Sequence, residues 1–148
     1  MFRELILIYI LIMEIPKGKS KEEIREREYI IKCFYQKWKS ENRSLRKFNL
    51  DLSDYIYVRN VSNVETANKA SKNYLSTLAV LQLDIILTMA KVVKYVPTKK
   101  NDVNQSKFAK MIIMQCKLEG IGIVKLTVGI QARTNENVQY CITAIDAE

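Results

Sequence analysis

Histidine is absent from the 148-residue chain, which also contains only three cysteines, four glycines and two prolines. Without histidine the chain cannot form a Ser-His-Asp or Cys-His nucleophile pair, or the HExxH zinc helix. Three cysteines without histidine do not complete a four-ligand structural zinc site. Cys33, Cys116 and Cys141 are widely spaced and odd in number, which is typical of thiols in a reducing compartment. The few glycines and prolines favour mostly regular secondary structure.

Positive charge exceeds negative charge, with 24 lysines and arginines against 16 aspartates and glutamates, a formal net charge of +8. Such an excess favours an anionic partner, either a nucleic acid or a membrane surface. Residues 17–47 hold 11 basic and five acidic side chains, so most of the excess lies there. The polar face of the helix predicted in this segment is either a phosphate-contacting face or a solvated face with Glu–Lys and Glu–Arg pairs; its basic residues are Arg25, Arg27, Lys32, Lys37 and Lys39.

The first 13 residues are predicted to be an apolar extension of a single domain formed by residues 14–148. Residues 5–13 are an unbroken apolar run, but a membrane-spanning helix needs about 20 such residues. Glu4 and the lack of a small-residue cleavage site argue against a signal peptide. The extension is expected to be an over-extended start, with Met13 as the natural initiator, or else a buried strand. Either way, the chain is expected to be cytoplasmic, without membrane insertion.

Two capping boxes of the S-x-x-E type predict where helices begin. The first starts at Ser20, and apolar residues at helical spacing predict a helix from there to about residue 42. The second starts at Ser62 and predicts a helical region to about residue 93, with a break near residues 71–73. The N-terminal half is therefore predicted to be mainly helical.

The C-terminal half changes to strand periodicity. Strands are predicted at residues 92–96, 110–118, 123–130 and 138–145, and a short strand or extended segment at residues 55–58. Asn135 or Asn137 suits the positive φ of the turn between the last two strands. The predicted fold is therefore α+β, with N-terminal helices packed on one face of a C-terminal antiparallel sheet of about four strands, formed by about residues 92–145.

Alternation along the predicted strands separates an apolar face from a polar one. The residues expected to point toward the helices are Val124, Leu126, Val128 and Ile130. Lys125 and Thr127 point to the opposite side, where Tyr140 or Thr143 joins them, depending on the register of the last strand. The candidate nucleic-acid contacts around them are Gln115, Lys117, Lys99 and Lys100, the last two from a polar loop. Such a face is either a platform for a phosphodiester or the ordinary solvated face of an antiparallel sheet.

Two sharper motifs fail on inspection. The glycine pair at residues 120–122 lacks the third glycine of a dinucleotide-binding loop, because that position is Lys125. Residues 115–117, with Asp102 upstream, faintly resemble metal-dependent nucleases of the (D/E/Q)xK kind, but they supply only one carboxylate. No metal site and no cofactor is inferred.

The strand segments at residues 110–113, 124–129 and 138–143 together resemble the strand pattern of small ribonuclease domains of the barnase–colicin–RelE-like superfamily. Those domains are associated with phage, conjugative elements and toxins. The order of helices followed by a sheet also fits. The resemblance covers roughly residues 74–145, and the part of the chain before it has no counterpart.

Members of that superfamily cleave RNA without a metal: a base deprotonates the ribose 2′-hydroxyl, which attacks the adjacent phosphate, and cations stabilise the developing charge. The resemblance implies catalytic roles for Lys125 and Thr127, at strand positions that touch phosphate. It implies a further role for Tyr140 or Thr143, at the polar position of the partner strand. Many members use a histidine base, so here a lysine, tyrosine or glutamate serves as the base, or catalysis has been lost.

Two functions therefore compete. The first is a metal-independent endoribonuclease-like domain of a bacterial mobile element, whose expected partners are RNA and a protein antitoxin or another protein of that element. The second is a non-enzymatic nucleic-acid or protein interaction module, which uses the same charge without chemistry. A basic domain with no anionic partner is the third alternative.

Overall fold

The computed structural model describes residues 15–145, so the predicted extension at residues 1–13 lies outside the described residues. The helices of this part are α1 (Lys21–Glu41), α2 (Asn60–Ala70), α3 (Tyr74–Val80) and α4 (Leu83–Met89). The strands are β1 (Arg46–Asn49), β2 (Asp54–Tyr57), β3 (Lys91–Val96), β4 (Phe108–Leu118), β5 (Gly122–Gln131) and β6 (Asn137–Ala144). Within residues 15–145, no helix has both the length and the apolar character needed to cross a membrane.

The strands form one sheet in the order β1-β2-β6-β5-β4-β3, and every neighbouring pair is antiparallel except β2 and β6. The α+β class and the N-terminal position of the helices are as expected. The prediction of an antiparallel sheet of about four strands is wrong, because the sheet is mixed and has six strands. The two additional strands are β1 and β2, a hairpin that precedes most of the helices.

Strand β1 is stabilised by contacts that are distant in the chain. Its buried Asn49 side-chain amide donates hydrogen bonds to the carbonyl oxygens of Leu87 at 2.8 Å and Ala90 at 2.9 Å. Since β1 has four residues and no β-branched side chain, it carries little strand signal of its own. The hairpin therefore depends on the C-terminal end of α4 for its place in the fold.

Helix α1 begins as its capping box predicts. Ser20 Oγ accepts a hydrogen bond from the Glu23 backbone N–H at 3.2 Å and donates one to Glu23 Oε1 at 2.8 Å. One stripe of the helix then buries Ile31, Tyr35 and Trp38. The cap and the apolar stripe predicted for this helix are both confirmed.

The beginning of α2 differs from the prediction, because Arg59 and not Ser62 is the N-cap. Ser62 is the third residue of α2, and its Oγ accepts a hydrogen bond from the Arg59 backbone N–H at 3.0 Å. The predicted break near residues 71–73 is confirmed, since α2 ends at Ala70 and α3 begins at Tyr74.

The predicted division of β5 into two faces is confirmed. Val124, Leu126 and Val128 are fully buried in a core shared with α1, α3 and α4. Residues on the same side of β4 and β6, among them Met114 and Ile142, complete this core. Most of the helical contacts therefore lie on this face of the sheet, and Lys125 and Thr127 lie on the other face. Val61 of α2 also packs on that second face, against a smaller buried cluster formed by Phe108, Met111, Val138, Tyr140 and Cys141.

The β5–β6 turn contains Asn135, whose φ of 61° lies in the left-handed region. Asparagine tolerates this conformation better than most residues. The prediction that an asparagine adopts positive φ in this turn is confirmed, at Asn135.

Helices α2 and α3 occupy the free edge of β6. Strand β2 pairs with β6 only at Asn137 and Val138, so the rest of that edge has no neighbouring strand. Ser62 Oγ donates to the Gln139 carbonyl oxygen, and the Ala144 N–H donates to Ser76 Oγ at 2.9 Å. Helix side chains thus satisfy an edge that would otherwise expose unpaired backbone groups. This packing brings the α2–α3 turn beside the end of β6.

Candidate nucleic-acid interface

The register of the sheet places Lys125 between Gln115 and Thr143. Lys125 pairs with Gln115 of β4 and with Thr143 of β6, and Gln115 pairs in turn with Lys91 of β3. Directly paired residues share a face of the sheet, so these four side chains form one row across four strands. The sequence left open whether Tyr140 or Thr143 accompanies Lys125, and the register shows that it is Thr143.

Lys125 and Thr143 also line an open cleft of about 460 Å³ beside the α2–α3 turn. Four lysines surround it, Lys19, Lys69, Lys72 and Lys125, and the other lining residues are Asn73, Ser76, Thr143, Ala144 and Ile145. None of these lining residues is acidic. We name this feature the basic cleft.

The lysines reach the basic cleft from separate parts of the chain. Lys69 lies in the last turn of α2, and Lys72 lies in the turn that leads to α3. Lys19 comes immediately before Ser20, the N-cap of α1. Lys125 alone comes from the sheet.

Arg27, which the sequence placed on the polar face of α1, is instead fully buried and holds two of these segments together. Arg27 donates hydrogen bonds to the carbonyl oxygens of Gly18 and Ser71, each at 2.7 Å. Gly18 precedes Lys19, and Ser71 precedes Lys72. The two lysines are therefore attached to segments that one guanidinium clamps to α1.

The lysines of the basic cleft have no carboxylate partners in the part of the chain that the structure describes. Lys19, Lys69 and Lys72 are exposed, and Lys125 is half-buried. Like charges around one opening repel one another, and a bound anion would relieve that repulsion. The arrangement is therefore suited to an anionic ligand.

Cys141 is a buried residue close to Lys69 and Lys125. Burial raises the pKa of the Cys141 thiol to about 11, although the charges of Lys69 and Lys125 act in the opposite direction. The thiol therefore stays neutral near pH 7 and adds no negative charge to the cleft.

Two other predicted residues flank the row. Thr127 pairs with Cys141 and lies two residues along β5 from Lys125, on the same face of the sheet. Lys117 is exposed and pairs with Ile123. It lies two residues along β4 from Gln115, on the side of the row opposite to Thr127. The structure therefore groups Gln115, Thr127 and Lys117 around Lys125.

Tyr140 lies apart from this group. A register shift in the β5–β6 pairing leaves Tyr140 without a partner on β5, since Thr127 pairs with Cys141 and Val128 with Gln139. The Tyr140 side chain is buried, and its hydroxyl donates to Asp102 Oδ2 at 3.0 Å. Burial also raises the pKa of Tyr140 well above its ordinary value. Its hydroxyl anchors the β3–β4 loop.

Lys99 and Lys100 also lie away from the basic cleft. Both are exposed in the β3–β4 loop, which follows Val96 at the end of β3. Lys91, which belongs to the Lys125 row, stands at the start of β3, so roughly 15–20 Å of strand separates the row from the loop. A ligand would have to extend along the sheet to contact both regions.

Sequence reasoning missed Lys19, Lys69 and Lys72. The available signal was that Lys69 comes just before the predicted helix break and Lys72 lies within it, where the turn exposes both side chains. No local pattern indicates that this turn packs beside Thr143, because the packing depends on the free edge of β6.

No group of three or more cysteine, aspartate or glutamate side chains within residues 15–145 is arranged to hold a metal ion. Comparisons of the chain with protein-family models, with curated proteins and with solved structures found no match. The resemblance to the barnase–colicin–RelE-like superfamily therefore stays a prediction.

Proposed function

We propose that the protein binds RNA through phosphate contacts in the basic cleft. The observation that carries this proposal is the set of four lysines around one cleft with no acidic residue among its described lining. Lysine side chains that neutralise phosphates release condensed counterions, which is a main source of nucleic-acid affinity. Hydroxyl groups such as that of Thr143 add hydrogen bonds to phosphate oxygens.

The cleft supports binding better than it supports cleavage. A metal-independent ribonuclease needs a general base near the ribose 2′-hydroxyl. Of the three candidate bases, lysine, tyrosine and glutamate, the described residues that line the basic cleft supply only lysines, and the hydroxyl of Tyr140 is bonded to Asp102. We therefore favour the non-enzymatic binding module over the ribonuclease, with Lys125 as a phosphate contact.

Fluorescence anisotropy with a labelled single-stranded RNA tests the proposal. Wild-type affinity should fall steeply between about 50 and 200 mM salt. Lys125→Ala and Lys69→Ala should each weaken binding several-fold and lower the slope of log K against log salt by about 0.7. Lys39→Ala removes the same charge from the last turn of α1 and serves as the matched control, with little expected change.

Three results would contradict this proposal: no RNA binding at low salt, a flat salt titration, or equal small effects of Lys125→Ala and Lys39→Ala. Thermal unfolding of each variant verifies that binding is not lost through misfolding, since solvent-accessible lysines contribute little to stability. The same samples incubated with RNA in EDTA distinguish the two functions. If wild type cleaves RNA in EDTA and Lys125→Ala does not, the protein is a ribonuclease and the proposal of a non-enzymatic binding module is wrong.

A further inference from the structure

A second surface combines aromatic rings with arginine on the β1–β2 hairpin. Arg46 pairs with Tyr57 and Phe48 pairs with Tyr55, so the four side chains share one side of the hairpin. The opposite side carries Ile56, which is buried in the core. We name the outer side, formed by Arg46, Phe48, Tyr55 and Tyr57, the aromatic–arginine face.

One guanidinium fixes the rings of this face. Arg46 Cζ lies 3.8 Å from the centroid of the Tyr55 ring and 5.8 Å from that of Tyr57. Arg46 Nη1 also donates to the Tyr57 hydroxyl at 3.0 Å. Phe48 meets Tyr55 edge-on, with ring centroids 5.3 Å apart. The rings are therefore held in place before any ligand arrives.

Two of the three rings are exposed to solvent, and Tyr57 is half-buried. Phe48 is 43% exposed and Tyr55 is 37% exposed. This exposed aromatic pair beside a cation leaves ring surface available to a ligand. It is well suited to a flat, electron-rich group that carries negative charge nearby.

A second cleft adjoins this face at Arg59. Arg59 Cζ lies 4.6 Å from the centroid of the Tyr57 ring, and Arg59 Nη2 pairs with Glu136 at 3.3 Å. Arg59 also lines a cleft of about 330 Å³, where Lys107 supplies a second cation. Positive charge therefore continues beyond the edge of the rings, partly balanced by Glu136.

We infer that the aromatic–arginine face stacks the unpaired bases of single-stranded RNA. Aromatic rings and guanidinium planes are the usual stacking partners of splayed RNA bases. Phosphates on either side of a stacked base would meet Arg46 and the cleft at Arg59 and Lys107. This inference rests on the proposed RNA function and adds to it a preference for single strands.

The test compares two ligands of equal charge on the full chain: an oligouridylate of about 12 nucleotides and an abasic oligomer of the same length. Wild type should bind the oligouridylate roughly tenfold more tightly. The double variant Phe48→Leu/Tyr55→Leu should lose that difference and keep the salt dependence. Tyr95→Leu is the matched control, since Tyr95 is 52% exposed on β3, and it should keep the difference.

Phe48→Trp gives an independent readout if the double variant does not fold. Stacking should quench its added indole fluorescence with oligouridylate and not with the abasic oligomer, against the constant background of buried Trp38. RNA binding without quenching, or equal wild-type affinity for the two ligands, overturns the stacking site. Failure of wild type to bind either ligand at low salt overturns the proposed RNA function and the stacking site with it. Lys125→Ala should weaken both ligands equally, which separates the two surfaces.

Discussion

Arg27 Nε donates a 2.7 Å hydrogen bond to the carbonyl oxygen of Ser71, which joins helix α1 to the α2–α3 turn. The same guanidinium donates to the carbonyl oxygens of Pro16 and Gly18, and the side chain is fully buried. Its hydrogen-bond partners are backbone carbonyls, so the clamp places no bonded carboxylate beside the lysines that would offset their charge. The clamp therefore supports both the fold and the basic cleft.

Arg27→Met is expected to lower the free energy of unfolding by about 2–4 kcal/mol, because it leaves buried carbonyl oxygens without donors. It should also weaken RNA binding, since Lys19 and Lys72 lose their common anchor. Urea denaturation measures the first effect. Arg25→Met changes an exposed residue of the same helix and should alter stability by less than about 0.5 kcal/mol. Equal effects of the two variants would show that the clamp contributes nothing.

Tyr35→Phe is expected to destabilise the protein by about 1–3 kcal/mol. The Tyr35 hydroxyl donates to Gln139 Oε1 at 2.7 Å, and both side chains are fully buried. Removing the hydroxyl leaves the amide oxygen buried without that donor. Tyr29→Phe is the control, because Tyr29 is 70% exposed. Chemical denaturation with an unchanged m-value checks the prediction, and similar midpoints for the two variants would contradict it.

Gly129→Ala is expected to cost about 1–3 kcal/mol through overpacking. A Cβ at this position would lie 2.6 Å from Cγ of Phe108, which is too close for two carbon atoms. Phe108→Leu should relieve part of the clash, so the double variant should be more stable than the sum of the single effects. A double-mutant cycle measures this coupling. If the two single effects add exactly, the cost of Gly129→Ala does not come from its contact with Phe108.

Cys141 makes stability depend on alkaline pH. Its folded-state pKa of about 11 lies above the unfolded value of about 8.5, so the unfolded state releases the proton first. The neutral thiol contributes fully to the free energy of unfolding below about pH 8.5. This contribution is lost as the pH rises toward 11, by at most about 1.4 kcal/mol per pH unit. Unfolding free energies measured across this range should fall less steeply in Cys141→Ala. Parallel curves for the two proteins would contradict the assignment.

Local sequence patterns determined the long elements and the direction of their side chains. The capping box at Ser20 predicted the start of α1, and Asn135 lies in the turn where an asparagine with positive φ was predicted. The alternation of Leu126 with Lys125 separated the buried face of β5 from the open one. Caps, turns and periodicity act over a few residues, so they can be read without knowing the rest of the fold.

Strands β1 and β2 were decided by contacts between distant residues. Residues 55–58 carried a weak strand signal, but nothing in residues 46–49 indicated a strand. Strand β1 is positioned by its pairing with β2 and by the hydrogen bonds from the Asn49 side chain to the end of α4. Such pairing is a property of the folded chain, because propensity in so short a segment is weaker than its tertiary contacts.

The sequence by itself determined that Lys125 stands on the polar face of a strand, because side chains alternate with period two. Only the tertiary structure decided what surrounds it. The register pairs Lys125 with Thr143, whereas Tyr140 lies three residues away, at a register shift where it has no partner on β5. A slip of one residue would change which side chains of β6 share the face of Lys125. Helices α2 and α3 then fill the free edge of β6 and carry Lys69 and Lys72 to the same opening. Lys69 and Lys72 therefore line one cleft with Lys125 because an unpaired strand edge needs hydrogen-bond partners, and the Arg27 clamp holds the segment of Lys19 beside them.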